Sequence, residues 1–133
     1  MYRDPDLLKL AENQPCILQA LNNCLGESET TVSAHSNQLT HGKGRGLKAE
    51  DCYSIWACAR CHSWLDQGKG SKIEKNAHFD ERWPYQVYEW RKIFLDPLAR
   101  LWKREAAERV LKYLEVLPEK EIPLLPENSV SKF

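Results

Sequence analysis

Ala57-Cys58-Ala59-Arg60-Cys61-His62-Ser63-Trp64-Leu65-Asp66 is the stretch on which the reading of the whole chain turns. Its Cys-x-x-Cys spacing lets two sulfurs converge on one ion, so Cys58 and Cys61 form half of a structural zinc site. Cys16 and Cys24, with seven residues between them, supply a looser second pair flanking a knuckle-like turn. Four thiolates at about 2.3 Å from a tetrahedral ion make a closed site. Such a site can hold together a small hairpin and helix that bury too little to fold alone. Two readings compete with it. Free cysteine is a common core residue, and Cys-x-x-Cys is also a redox motif, although the usual alternation of strand and helix is missing here. Cys52 is surplus to a tetrahedron and is assigned to packing.

The bulk properties set limits on this site. A chain of 133 residues is the size of one domain with an appendage. Its 19 basic and 19 acidic residues cancel, so nucleic acid must be met by a local patch rather than a general basic coat. No apolar run approaches the roughly 20 residues that span a bilayer. The segment Met1–Leu10 carries Arg3, Asp4, Asp6 and Lys9 and does not resemble a secretory signal. A cytoplasmic location is therefore expected, and in a reducing compartment clustered thiols are metal ligands more often than disulfides.

Upstream of the quoted stretch, Asp4-Pro5-Asp6 is an N-cap followed by a first-turn proline, which predicts a short helix to about Asn13. Cys16-Ile17-Leu18 and Thr30-Thr31-Val32-Ser33, separated by turn formers around Asn22–Ser28, predict an irregular hairpin that delivers His35 at the end of its second strand. His41-Gly42-Lys43-Gly44-Arg45-Gly46-Leu47-Lys48 is expected to be a mobile loop, because alternate glycines disfavour a regular element. A short apolar stretch, Tyr53 to Ala57, then leads into a helix from about Ala59, ended by Gly68 and Gly70.

Downstream, Val87, Trp90, Phe94, Leu98, Leu101, Val110, Leu114 and Leu117 recur at helical spacing. With Asp96-Pro97 as a cap and first-turn proline, two helices are predicted, about 84–95 and 97–116, followed by an extended tail with Pro118, Pro123 and Pro126. The spacing of Trp83, Tyr85, Tyr88, Trp90, Phe94 and Trp102 favours a core or a homodimer face over base stacking. His78 has no evident partner and is expected at the surface. The predicted class is α+β, with a zinc-stapled domain over 1–70 and a helical appendage over 71–133.

The motif set Cys24…His35-Ser-Asn, His41-Gly-Lys-Gly-Arg-Gly-Leu-Lys48, Asp51 and Ala57-Cys58-Ala-Arg-Cys61-His62-Ser-Trp-Leu-Asp66 resembles the small phage and prophage nuclease family of the YbcO type, over about residues 8–70. That family is related to the RecA-dependent phage nuclease Ref and to the HNH superfamily. The resemblance implies a ββα-metal core in which a strand histidine activates water and the helix helps to hold one divalent ion, Mg2+ or Mn2+. His35 matches the general base, and His62 matches the metal-facing helix position. Asp66, at i+4 from His62, is placed to bind the ion or orient the imidazole. Asp51 is the further candidate ligand, with His41 and Asn37 placed to reach in from the loop. Two positions depart from the common HNH pattern: Ala34 stands where many members carry Asp, and Tyr53 where the central Asn is usual.

The chemistry agrees with the resemblance. Phosphodiester hydrolysis needs a base that titrates near neutrality, as histidine does, and a cation to balance charge on the phosphate. The bland readings are a core histidine at position 35 and a solvated carboxylate at position 66. His41, Lys43, Arg45, Lys48 and Arg60 are the expected DNA contacts, against the reading of the loop as a solvated connector. The function expected is a metal-dependent DNA endonuclease or nickase of phage origin, partnered with recombination or replication proteins. The alternative is a zinc-dependent DNA-binding or adaptor protein without cleavage.

Overall fold

A computed structural model describes residues 1–20 and 24–117. The order of its regular elements is α1 (Pro5–Lys9), β1 (Val32–His35), β2 (Ser54–Ala57), α2 (Ala59–Gln67), α3 (Lys72–Leu95) and α4 (Leu101–Tyr113). The class is α+β, as expected from the sequence.

Asp4 caps α1 by accepting a hydrogen bond from the Leu7 amide, and Pro5 fills the first turn, where its missing N–H costs nothing. The helix closes at Lys9, and turns carry the chain on to Asn13.

The hairpin differs from the expected one. β1 pairs antiparallel with β2, with Val32 opposite Ala57 and His35 opposite Ser54. Residues 16–18 do not form the partner strand. Instead, the amides of Ile17 and Leu18 both donate to the carbonyl of Trp56 on β2, at 2.8 and 3.0 Å. The Trp56 amide donates to Gln86 Oε1 of α3 at 2.8 Å. The free edge of β2 is thereby covered on both its donor and its acceptor, and all four β2 residues are buried. The second strand, Ser54–Ala57, therefore falls within the apolar stretch Tyr53 to Ala57. His35 ends the first strand, opposite its start.

α2 runs from Ala59 to Gln67, close to the sequence expectation. Gly68 stops it for a steric reason. A Cβ there would stand 2.6 Å from Trp64 Cα and 2.7 Å from Trp64 O, closer than any side chain tolerates.

α3 begins twelve residues before the predicted start. Ser71 accepts from the Glu74 amide, the Ser-x-x-Glu signature of a helix start. Lys72–Ala77 carries little apolar stripe, so periodicity alone does not find this turn. Pro84 lies inside α3, where proline ordinarily breaks a helix. α4 begins at Leu101 rather than 97, because Asp96 Oδ1 caps a turn at the Leu98 amide and the chain reverses there. The apolar stripe does not continue across that turn: Leu98 is 92% and Leu101 66% exposed. The proline-rich tail from 118 lies outside the described residues.

One hydrophobic cluster contains Leu7, Leu10, Ile17, Leu18, Ile55, Trp56, Leu65, Phe79, Val87, Trp90, Ala107, Val110 and Leu111, so it includes residues from both sides of position 70. Tyr85 and Trp90 are buried, and Trp83, Tyr88, Phe94 and Trp102 pack against the same cluster. The aromatic face of α3 thus points into the core. Trp90→Ala is expected to lower unfolding stability by about 3–5 kcal/mol, measured by urea denaturation, because it removes a fully enclosed indole. A loss under about 1 kcal/mol would mean that α3 contributes little to the core.

Candidate active site and metal centre

The sulfurs of Cys16, Cys24, Cys58 and Cys61 all lie within 4.8 Å of one another. Cys58 caps the start of α2 and Cys61 lies one turn later, so the helix itself sets their separation. Cys16 arrives on the segment that docks on Trp56. Gln19 has a left-handed φ of 44°, and its amide lies 3.4 Å from Cys16 Sγ. The Ala20 amide donates to Cys61 Sγ at 3.3 Å. Amides aimed at buried sulfur favour thiolate over thiol. The hydrogen bond from Cys61 draws Cys16 down to about 5, and the same contact, with burial, pushes Cys61 up. Burial also pushes Cys24 up. Four sulfurs so crowded cannot all ionise unless a cation takes up the charge, and this donor set could hold one metal ion such as zinc. Cys52 is fully buried away from this group, as its packing assignment required.

A cleft of about 600 Å3 opens between α1, β1, the loop after β1 and α2, and His35, Asn37, Lys43, Lys48, His62 and Asp66 line it. His62 and Asp66 project from one face of α2, with His62 Nε2 3.2 Å from Asp66 Oδ2. Asn37 Nδ2 donates to the other Asp66 oxygen at 3.0 Å. Across the hairpin, His35 Nε2 lies 2.8 Å from Asp51 Oδ1. Asp51 is only 4% exposed, and the Asp4 amide donates to its second oxygen at 2.7 Å. Burial alone would raise the Asp51 carboxyl, yet hydrogen bonds from His35, the Asp4 amide and Arg3 hold it below the ordinary carboxylate value. Asp51 is therefore an anion that fixes the tautomer of His35. A carboxylate anion only accepts, so His35 Nε2 is the donor in this contact.

The structure thus brings His35, His62, Asp66, Lys43 and Lys48 to one cleft, while Asp51 is used behind His35 rather than beside His62. Among the described residues, the four cysteines are the one set of three or more His, Cys, Asp or Glu side chains close enough to share an ion. His41 does not line the cleft. Its ring stacks on Tyr53 with centroids 4.1 Å apart, and its Nδ1 meets Ser36 Oγ at 2.7 Å. Arg45 and Arg60 are exposed outside the cleft. The glycine loop carries a 3-10 turn over Leu39–His41 and a bridge between Gly44 and Leu47, more order than its composition suggested. His78 is not a surface histidine. It is half-buried, with Nε2 2.6 Å from the Leu18 carbonyl.

Sequence reasoning missed Arg3, which donates to Asp51 Oδ1 at 3.2 Å from 48 residues away, a contact with no local signal.

A family model described as "Putative nuclease YbcO" matches residues 5–85, more than half of the chain and all of the elements that build the cysteine group and the cleft. The chain belongs to the YbcO family. Among solved structures, a "putative bacteriophage protein from Escherichia coli str. K-12 substr. MG1655" matches with 23% identity and a TM-score of 0.49, over 63% of this chain and 94% of that one. No curated protein matches it. Membership makes this YbcO-family chain one of a family named for a nuclease. Among the described residues no helix is long and apolar enough to cross a membrane.

Proposed function

We propose that this YbcO-family protein is a metal-dependent DNA endonuclease of the ββα-metal (HNH) type and of phage or prophage origin, with zinc on the four cysteines as a structural staple. The observation that carries the reading is His35, bonded to a buried carboxylate and lining one cleft with the His62–Asp66 pair and two lysines. The order β1, β2, α2 supports it, since the hairpin and the helix after it hold the two histidines on facing elements.

His35 acts as general base. Asp51 accepts from Nε2, the free Nδ1 lone pair takes a proton from water, and the imidazolium formed is stabilised by the Asp51 anion. The resulting hydroxide forms the new bond to phosphorus while the bond to the leaving ester oxygen breaks. Lys43 and Lys48, on the rim, balance phosphate charge and position the strand. His62 and Asp66 are the residues that would hold the divalent ion, whose chemistry is to stabilise charge on the phosphate and the leaving oxygen. Two protein ligands suit magnesium, which keeps several waters and binds partly through substrate phosphate. Ala34 is fully buried, so the ligand that many HNH enzymes place there has no counterpart on this strand.

Purified protein should nick or linearise plasmid DNA with Mg2+ or Mn2+, and should stop when these are replaced by calcium or removed. Asp66→Ala should lower the rate by about 10–100-fold with the fold intact. A zinc-loaded wild type that binds DNA but cuts with neither ion would leave only the non-catalytic adaptor.

A further inference from the structure

Three residues before α1 and two on α4 brace the loop that carries Asp51, the partner of His35, and all five lie outside residues 5–85, the span of the family match. The segment Tyr2–Asp4 runs beside Lys48–Asp51. The Asp51 amide donates to the Tyr2 carbonyl at 2.9 Å, and the Tyr2 amide donates to Glu50 Oε1 at 2.9 Å. Arg3 spans the same loop. Its guanidinium donates to the carbonyls of Lys48 and Ala49 as well as to Asp51 Oδ1. Asp4 completes the cradle with its amide on Asp51 Oδ2.

Asp4 is itself fixed from the far end of the chain. Arg109 of α4 grips its carboxylate at both oxygens, with Nε 2.9 Å from Oδ2 and Nη2 3.2 Å from Oδ1. A paired Arg–carboxylate contact of this kind fixes direction as well as distance. From the same helix, Tyr113 donates to Glu50 Oε1 at 2.6 Å. Neither Arg3 nor Arg109 lines the cleft.

The geometry points to Arg3 and Arg109 as positioning residues for the proposed hydrolysis: together they hold the Asp51 carboxylate, and through it the His35 ring, in the orientation that presents Nδ1 as the base. The physical reason is the buried anion. Both oxygens of Asp51 are used by donors that must stay in place, and two of those donors come from a short segment that α4 ties down. When Arg109 is lost, Asp4 keeps the Leu7 amide and the Tyr2 hydroxyl but loses its paired tie to α4, so its amide is held less firmly on Asp51. When Arg3 is lost, Asp51 Oδ1 is left to His35 alone and the loop at 48–51 loosens. This inference rests on the hydrolase reading given above, so its test includes a measurement independent of cleavage.

The experiment compares full-length, zinc-loaded wild type with Arg3→Gln, Arg109→Gln and Arg3→Lys. Ring 15N shifts of His35 report which nitrogen carries the proton, and plasmid cleavage gives kcat and KM. Wild type should show the Nε2–H tautomer. Both Gln variants should move toward a mixed population and lose about tenfold in kcat, with KM changed less than about twofold and zinc content unchanged. Arg3→Lys, which keeps the charge but not the fork, should fall between. Unchanged His35 shifts in both Gln variants would overturn the assignment, as would a kcat loss that follows zinc loss or a lowered melting temperature. If wild type does not cleave at all, the ring shifts still decide the matter, and the hydrolase reading fails separately from the brace.

Discussion

Replacing Cys61 by serine is expected to unfold the protein and to release one equivalent of zinc per chain. The four sulfurs draw together three segments distant in the sequence: the stretch around Cys16, the approach to β1 at Cys24, and the start of α2. Zinc bound in such sites contributes an apparent ~10–16 kcal/mol at neutral pH, as much as or more than the ~5–15 kcal/mol by which a domain of this kind is stable. Losing one thiolate removes most of that contribution and leaves three crowded sulfurs, two of them buried. Far-ultraviolet circular dichroism with elemental analysis checks this, and a strong zinc chelator should reproduce it in wild type. Leaving magnesium out of the buffer should leave the spectrum unchanged. A folded, zinc-free Cys61→Ser protein would show that packing, not the ion, holds the hairpin to α2.

His35→Ala is expected to reduce DNA cleavage by about 10²–10⁴-fold, the usual contribution of a positioned general base, while the zinc content and the secondary structure stay as in wild type. The separation of effects follows from position. His35 lines the cleft at the end of β1, outside the buried core, whereas its neighbour Ala34 faces the core. The cost to stability is limited to the Asp51 oxygen left without one donor, about 1–3 kcal/mol, and Arg3 still reaches that oxygen. DNA binding should survive, because Lys43 and Lys48 are untouched, so a gel shift with retained affinity is part of the expected result. A His35→Ala protein that cuts at the wild-type rate would remove His35 from the mechanism.

The relations that could be read from the sequence are those encoded locally. Cys58 and Cys61, three apart, and His62 and Asp66, four apart, meet because helical geometry fixes the distance between such positions wherever the helix goes. The capped start of α1 and the extent of α2 were legible for the same reason. The start of α3 was not, because Lys72–Ala77 has a capping signature but almost no apolar stripe to announce it.

The pairing of distant segments was decided only on folding. The strand-like run at 30–33 could equally have paired with residues 16–18 or with 54–57. β2 won that place because its outer edge could also be closed, by the Ile17 and Leu18 amides on one side and Gln86 on the other. The same pairing set the turn before β2 directly behind the end of β1, which places Asp51 against His35. By itself, then, the sequence determined which titratable side chains are bound to meet on a helix. The tertiary structure alone determined that Asp51 meets His35, because a hydrogen bond across 16 residues depends on strand register and burial, and no local spacing encodes either.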